Sequence, residues 1–226
     1  MVGGANCPQC GAAVEAAMPG LPVTTCSSCD AMLVISDGQI SAVGDSGRVP
    51  FDVSPLQVGT TLQVEGARGE IVGRERWGWE RGSWNEWLLY LPGGDLRWVA
   101  EESGLYMVMS PANPRSDVVN RLKEIDRHDN AALGMTVQHE NTVYTVADIK
   151  TIRCIASEGH LPEVITANFP RESIDLRTGD GGAFTFQSDR NGASCWVGRY
   201  YELAELRPGN LRAMEGWNRP RFEVSA

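Results

Sequence analysis

Arg74-Glu75-Arg76-Trp77-Gly78-Trp79-Glu80-Arg81-Gly82-Ser83-Trp84-Asn85-Glu86-Trp87 is the stretch that decides the fold. It holds four of the chain's seven tryptophans, and a fifth, Trp98, follows shortly. Glu75, Trp77 and Trp79 share one parity and Arg74, Arg76 and Glu80 the other, the period of two that marks a strand with one wet face. Trp84 to Leu91 continues as a second strand, apolar on both faces. Arg81-Gly82-Ser83 supplies the glycine that a tight hairpin turn needs. Leu91-Pro92-Gly93-Gly94 spells a type II turn that sends Leu96 to Ala100 back as a third strand. An aromatic side chain buries about 150 to 250 Å², so this meander must curl against further strands, and a small barrel or curled sheet is expected.

Glu86 is the one carboxylate enclosed by the aromatic strand. It reads either as an acid whose pKa is raised by desolvation for catalytic or binding use, or as a charge paired with Arg74 or Arg76 across the hairpin, the more ordinary arrangement. Together Trp77, Trp79, Trp84, Glu86, Trp87 and Trp98 form the candidate interaction or ligand surface, with core packing the default for most of the indoles.

Upstream, Cys7-Pro8-Gln9-Cys10-Gly11 and Cys26-Ser27-Ser28-Cys29 are separated by fifteen residues. Two Cys-x2-Cys knuckles at that spacing predict a zinc ribbon over residues 1–42, with Cys7, Cys10, Cys26 and Cys29 closing a tetrahedral structural Zn²⁺ site. Asp30 stands where a second glycine is more usual. From Met1 to Gly47 there is no lysine or arginine, while Glu15, Asp30, Asp37 and Asp45 are acidic. Such a surface repels phosphate, so the ribbon reads as a staple or a protein-docking knob. With no open coordination position it is poorly suited to metal catalysis. Val43 to Ser54 reads as a linker.

Downstream, residues 54–110 form a first β domain. Residues 111–132 carry Ser116 as a capping signal and Val118, Leu122 and Ile125 at helical spacing, predicting one short linking helix. Residues 133–208 form a second β domain that repeats the first. Gly59-Thr60-Thr61-Leu62-Gln63-Val64-Glu65-Gly66 aligns with Gly134-Met135-Thr136-Val137-Gln138-His139-Glu140-Asn141, identical at four of eight places with an offset of 75. Gly66 and Asn141 both suit a positive-φ turn, and Trp98-Val99 matches Trp196-Val197 if 23 extra residues lie in the second copy, part of them in Thr178 to Gly182. The expected fold is therefore mainly β: a ribbon and two small antiparallel, SH3-like barrels from a tandem repeat. His139 falls on the inward face as a core histidine, whereas His128 and His160 sit in exposed, loop-like surroundings. Cys154 and Cys195 read as packing cysteines. The tail, 209–226, with Leu211, Met214, Trp217 and Phe222, reads equally as a partner-docking segment and as a cover for one β domain.

The 226 residues carry a formal charge of −9, which opposes binding to nucleic acid and to anionic membrane. No apolar run approaches the roughly 18 residues of a membrane span, and the opening residues lack a signal-peptide pattern, so a cytoplasmic location is expected. No nucleophile elbow, Walker loop, dinucleotide turn or metalloprotease helix is present.

The ribbon followed by Ser54-Pro55-Leu56, Gly59, Gly73-Arg74, Gly82 to Trp87 and Trp98 resembles the bacterial domain of unknown function family numbered 4178. Glu158-Gly159-His160-Leu161-Pro162 with Trp196 and Tyr200 is similar to the second copy in two-copy members. Gly69 departs from the pattern, which has an aromatic there, as Tyr144 is in the second half. The resemblance implies a cytoplasmic bacterial accessory protein attached to polyamine or membrane-stress systems and brings no catalytic residues. The leading functional expectation is a non-enzymatic adaptor that presents an aromatic surface or sheet edge to another protein. The alternative is an enzyme or small-ligand binder using a cleft between the repeats, with Glu86 and His139 as its titratable groups.

Overall fold

The computed structural model describes residues 5–16, 18–49, 52–125, 130–165 and 168–224. Two short strands, β1 (Ala5–Asn6) and β2 (Ala13–Val14), make the first hairpin of the ribbon, and β3 (Val23–Thr25), β4 (Ala31–Ser36) and β5 (Gln39–Asp45) complete it. Five strands follow, with the expected three-stranded meander at their centre: β6 (Thr61–Val64), β7 (Ala67–Trp79), β8 (Gly82–Tyr90), β9 (Leu96–Glu102) and β10 (Leu105–Ala112). After a helix, α1 (Ser116–Lys123), the second half adds β11 (Thr136–His139), β12 (Thr142–Leu161), β13 (Pro170–Arg177), β14 (Gly182–Asp189) and β15 (Gly192–Glu202).

The two halves do not close separately. β10 pairs with β15 along its whole length, and β7 pairs with β12 from Gly73↔Gly159 to Gly78↔Arg153. The eight strands β7-β8-β9-β10-β15-β14-β13-β12 therefore form one closed barrel, in place of the two small barrels expected. Closure removes the free edges that each four-stranded half would expose. Along each strand alternate residues turn inward, as in any barrel.

Several backbone features of the two halves match at fixed offsets. Gly59 N–H donates to Ile71 O at 2.7 Å, and Gly134 N–H to Val146 O at 2.9 Å, an offset of 75. The bulge that interrupts β7 between Ile71 and Gly73 recurs in β12 between Val146 and Asp148, at the same offset. Further on, Leu91 N–H donates to Asp95 O at 2.8 Å and Thr178 N–H to Gly182 O at 2.9 Å, an offset of 87. The difference of 12 lies in the longer β12 and the loop after it. Thr178 to Gly182 accordingly holds no insertion. At offset 87 Trp98 corresponds to Thr185 and Trp196 to Met109, so the expected Trp98–Trp196 match is wrong. The left-handed residue shared by the two hairpin turns is Glu65 (φ 51) and Glu140 (φ 52), with Gly66 also positive.

Each half buries an outward-facing core. Leu62, Ile71, Trp87, Leu89, Val99 and Tyr106 form one, sealed by Leu56, Leu206 and Leu211, with Trp217 packed against it. The tail thus covers the first half, as one of its two readings had it. Val146, Ile174, Leu176, Phe184 and Phe186 form the other, sealed by Val118 and Leu122. The helix is a cover as much as a link, shorter than expected, and it begins after Arg115 with no side-chain cap from Ser116. The ribbon joins the barrel at the C-terminal end of β12, where Thr24 pairs with His160 and Val23 with Leu161, and its Leu21, Val23 and Met32 pack with the inward-facing Val72, Leu88 and Trp98. The linker expected from Val43 is structured at its start: it finishes β5, and Ser46 O accepts from Ser157 N at 2.7 Å.

Candidate metal centre and barrel lumen

The two cysteine knuckles are built alike. Cys7 N–H donates to Ala12 O and Gly11 N–H to Cys7 O in the first; Cys26 N–H donates to Ala31 O and Asp30 N–H to Cys26 O in the second. The residue after each knuckle is left-handed, Gly11 at φ 78 and Asp30 at φ 57, so Asp30 takes the glycine's conformation, which aspartate tolerates better than most residues. The four sulfurs lie within 4.8 Å of one another. Cys7 Sγ is 3.8 Å from Cys29 Sγ, and Cys10 Sγ 3.7 Å from Cys26 Sγ. Four ligands about 2.3 Å from a tetrahedral ion stand about 3.8 Å apart, far beyond a disulfide bond. The amide of Ser28, opposed by burial, and that of Cys29 hold Cys26 down to about 7. The Ala31 amide acts on Cys29 in the same direction, but desolvation and the other three sulfurs push it up to about 12. Four thiols packed this tightly ionise together only around a cation, so the cluster can hold a metal ion.

The aromatic meander surrounds a second site. Glu75 and Glu86 are cross-strand partners on β7 and β8, and both turn into the barrel. A cavity of about 270 Å³ is lined by Trp79, Trp84, Glu86, Lys150, Asp175 and Tyr200 among others. Another, of about 350 Å³, is lined by Glu75, Glu86, Trp98, Arg171 and Trp196 among others. Glu86 belongs to both walls. Indole N–H groups fix the carboxylates: Trp77 Nε1 donates to Glu75 Oε2 at 3.0 Å, and Trp84 Nε1 to Glu86 Oε1 at 3.0 Å. On β13, Asp175 accepts from Thr185 Oγ1 at 2.8 Å.

The expected pairing of Glu86 with Arg74 or Arg76 does not occur. Arg74 turns outward, where Asp52 and Glu158 bind it and the Trp87 ring lies 4.6 Å beneath it; Arg76 binds Ser83 and Asn85. Glu86 is buried without either arginine as its partner. Desolvation raises Glu86 to about 7, with Asp175 adding to the shift and the Trp84 hydrogen bond opposing it. Desolvation and then the Glu86 charge raise Glu75 to about 8, and desolvation raises Asp175 to about 6.

Of the six residues proposed as a surface, Trp79, Trp84, Glu86 and Trp98 line the cavities. Trp77 and Trp87 are fully buried, and Trp98 is 7% exposed, so these three offer nothing to an external partner. His139 packs edge-on against Phe184 at 5.3 Å and lines neither cavity, so it does not join Glu86. His160 is buried on β12 rather than exposed, its Nε2 3.6 Å from Glu15, and desolvation lowers its pKa. His128 lies outside the described residues. Cys154 and Cys195 are buried, and desolvation pushes them up to about 12 and about 11. Sequence reasoning missed Glu75, Lys150 and Asp175. The parity of Glu75 with Trp77 was a signal for the first; nothing local marked the other two.

Residues 57–205 match the family model described as Domain of unknown function (DUF4178), one match that takes in every strand from β6 to β15. The chain belongs to the DUF4178 family. Both cavities lie within its DUF4178 region, whereas the cysteine cluster precedes it. No curated protein and no solved structure matches the chain. No helix among the described residues is long and apolar enough to cross a membrane.

Proposed function

We propose that the barrel lumen, enclosed between the two strand blocks, binds a small molecule, and that the ribbon is a zinc-loaded module attached to the barrel. The observation that carries this reading is Glu86, only 8% exposed yet shared by the walls of two adjacent cavities. A protein that only holds a shape gains nothing from enclosing a carboxylate, because its desolvation weakens the fold. Concave sites with convergent polar groups and displaced pKa values are where ligands bind. The matched hydrogen bonds and bulges support an origin by duplication, a reading in which the lumen is the seam between two copies of one unit. The adaptor reading is left with Trp79 and Trp84 as its only partly exposed indoles in the meander.

Titrating isotope-labelled protein with a low-molecular-mass cell extract tests the lumen site. The indole N–H resonances of Trp79, Trp84 and Trp98 should shift; if every indole stays fixed, the reading fails. Elemental analysis of the purified chain should find about one zinc per molecule.

A further inference from the structure

Six carboxylates line the two cavities, Glu75, Glu86, Glu101, Glu102, Glu163 and Asp175, against two cations, Lys150 and Arg171. Both cations have partners of their own. Lys150 is bound by Asp148, and Arg171 sits 3.3 Å from Asp189 and 4.0 Å from Glu163. Among the described residues no cationic side chain lies within 4.0 Å of Glu75, Glu86 or Asp175; Glu102 has Arg177 at 2.9 Å. Glu75 and Glu86 are more than nine-tenths buried, and a buried carboxylate without a counter-charge is a costly arrangement. The cavity also has an aromatic wall that already faces a cation: Lys150 Nζ lies 4.8 Å from the Trp79 ring centre and 5.9 Å from that of Trp84. Indole faces attract ammonium and guanidinium groups within about 6 Å.

Accepting that the lumen binds a small molecule, we infer that its ligand is an organic cation, an ammonium or guanidinium held between Glu86, Asp175 and the Trp79 and Trp84 rings. Lys150 Nζ itself stands in part of that position, against both rings. A metal ion fits less well. Apart from the four cysteines, no three acidic, histidine or cysteine ligand atoms among the described residues converge within 4.8 Å, so these carboxylates surround a volume and do not focus on a point. An anion would meet six carboxyl groups against two cations, an excess of the wrong sign.

Three probes of similar shape separate the possibilities: benzylammonium, benzyl alcohol and benzoate, each titrated into the full chain and followed by tryptophan fluorescence and calorimetry. Benzylammonium should bind at least about tenfold more tightly than the other two. Glu86→Gln should weaken it by about tenfold, while Lys150→Met, which removes the internal competitor, should strengthen it. The gain in Lys150→Met keeps the idea testable if Glu86→Gln folds poorly, since a merely damaged barrel would not bind better. Equal or tighter binding of benzyl alcohol or benzoate would overturn the cation assignment and leave the lumen site standing. No response to any probe, together with fixed indole signals in the cell-extract titration, would overturn both. No response here with shifted indoles there would overturn the cation assignment alone.

Discussion

A carboxyl group shut away from water holds its proton more tightly than the same group in solution, and Glu75, Glu86 and Asp175 all do so, with Arg171 opposing the shift at the first two and Lys150 at the third. Between about pH 4.5, where an unfolded glutamate ionises, and about 8, the folded chain carries more protons at Glu75 than the unfolded chain does. Stability from this group is therefore fully present below the unfolded pKa and is lost as pH rises through the folded one. Arg171 and Glu163 share its cavity and act on it in opposite directions. Asp52 works the other way. Its burial is outweighed by Arg74, which lowers its pKa, so its contribution is lost as pH falls below the usual aspartate range. Each unit of displacement corresponds to about 1.4 kcal/mol, and about 1 kcal/mol moves the midpoint of a domain this size by about 2–4 °C. Scanning calorimetry should show Tm falling by several degrees from pH 5 to pH 8, with Glu75→Gln flattening the slope; a Tm that climbs across that interval contradicts the account. Gly69 offers a steric test. A β-carbon there would lie 2.7 Å from Tyr90 O and 2.8 Å from Leu91 Cδ2, which explains glycine at a position where Tyr144 stands in the other half. Gly69→Ala should cost about 1–3 kcal/mol in denaturant unfolding.

Among the elements, those specified by neighbours in sequence were legible and those specified at long range were not. The meander from β7 to β9 followed from alternation and from Pro92-Gly93, whose glycine adopts φ 83, ψ 1 as a type II turn requires. Gly82 was right for the wrong reason. It has no positive φ, and it is small because the Trp79 ring occupies the space of a β-carbon, at 2.6 Å. The pairing of β7 with β12 left no local mark, since it joins residues about 75 to 86 positions apart, and without it the halves looked like two barrels. The same gap hid the lumen: Lys150 and Asp175 meet Glu86 only after closure. The seam between ribbon and barrel can be tested at Leu21, which is 1% exposed and packs with barrel residues. Leu21→Ala should cost about 2–5 kcal/mol. Val143→Ala, at a side chain that is 55% exposed, should stay within about 0.5 kcal/mol.

At the scale of the whole molecule, ribbon and barrel share one sheet, since β3 continues the pairing of β12. Removing the proposed zinc is therefore expected to reach beyond the cysteines. Adding a chelator should lower Tm and increase amide exchange at Val23 and at Leu161; exchange confined to residues 5–36 would show that the ribbon opens alone. Neither strand block can hide its edges by itself. Expressed separately, residues 5–113 and 114–224 should each lack a cooperative unfolding transition, and co-expression should restore one.

The twenty-residue β12 touches β11, β13, β7 and β3 in turn, and this has a consequence for how the chain is made. A ribosome delivers residues in order, so the ribbon and the first four barrel strands emerge well before the segment that unites them. During that interval β7 presents a bare flank, and nascent chains on one message stand close enough to pair through it. Synthesis rate, more than final stability, then governs the yield of correctly closed molecules. Slowing elongation between β10 and β12 should increase aggregation of the newly made protein without altering the Tm of what survives.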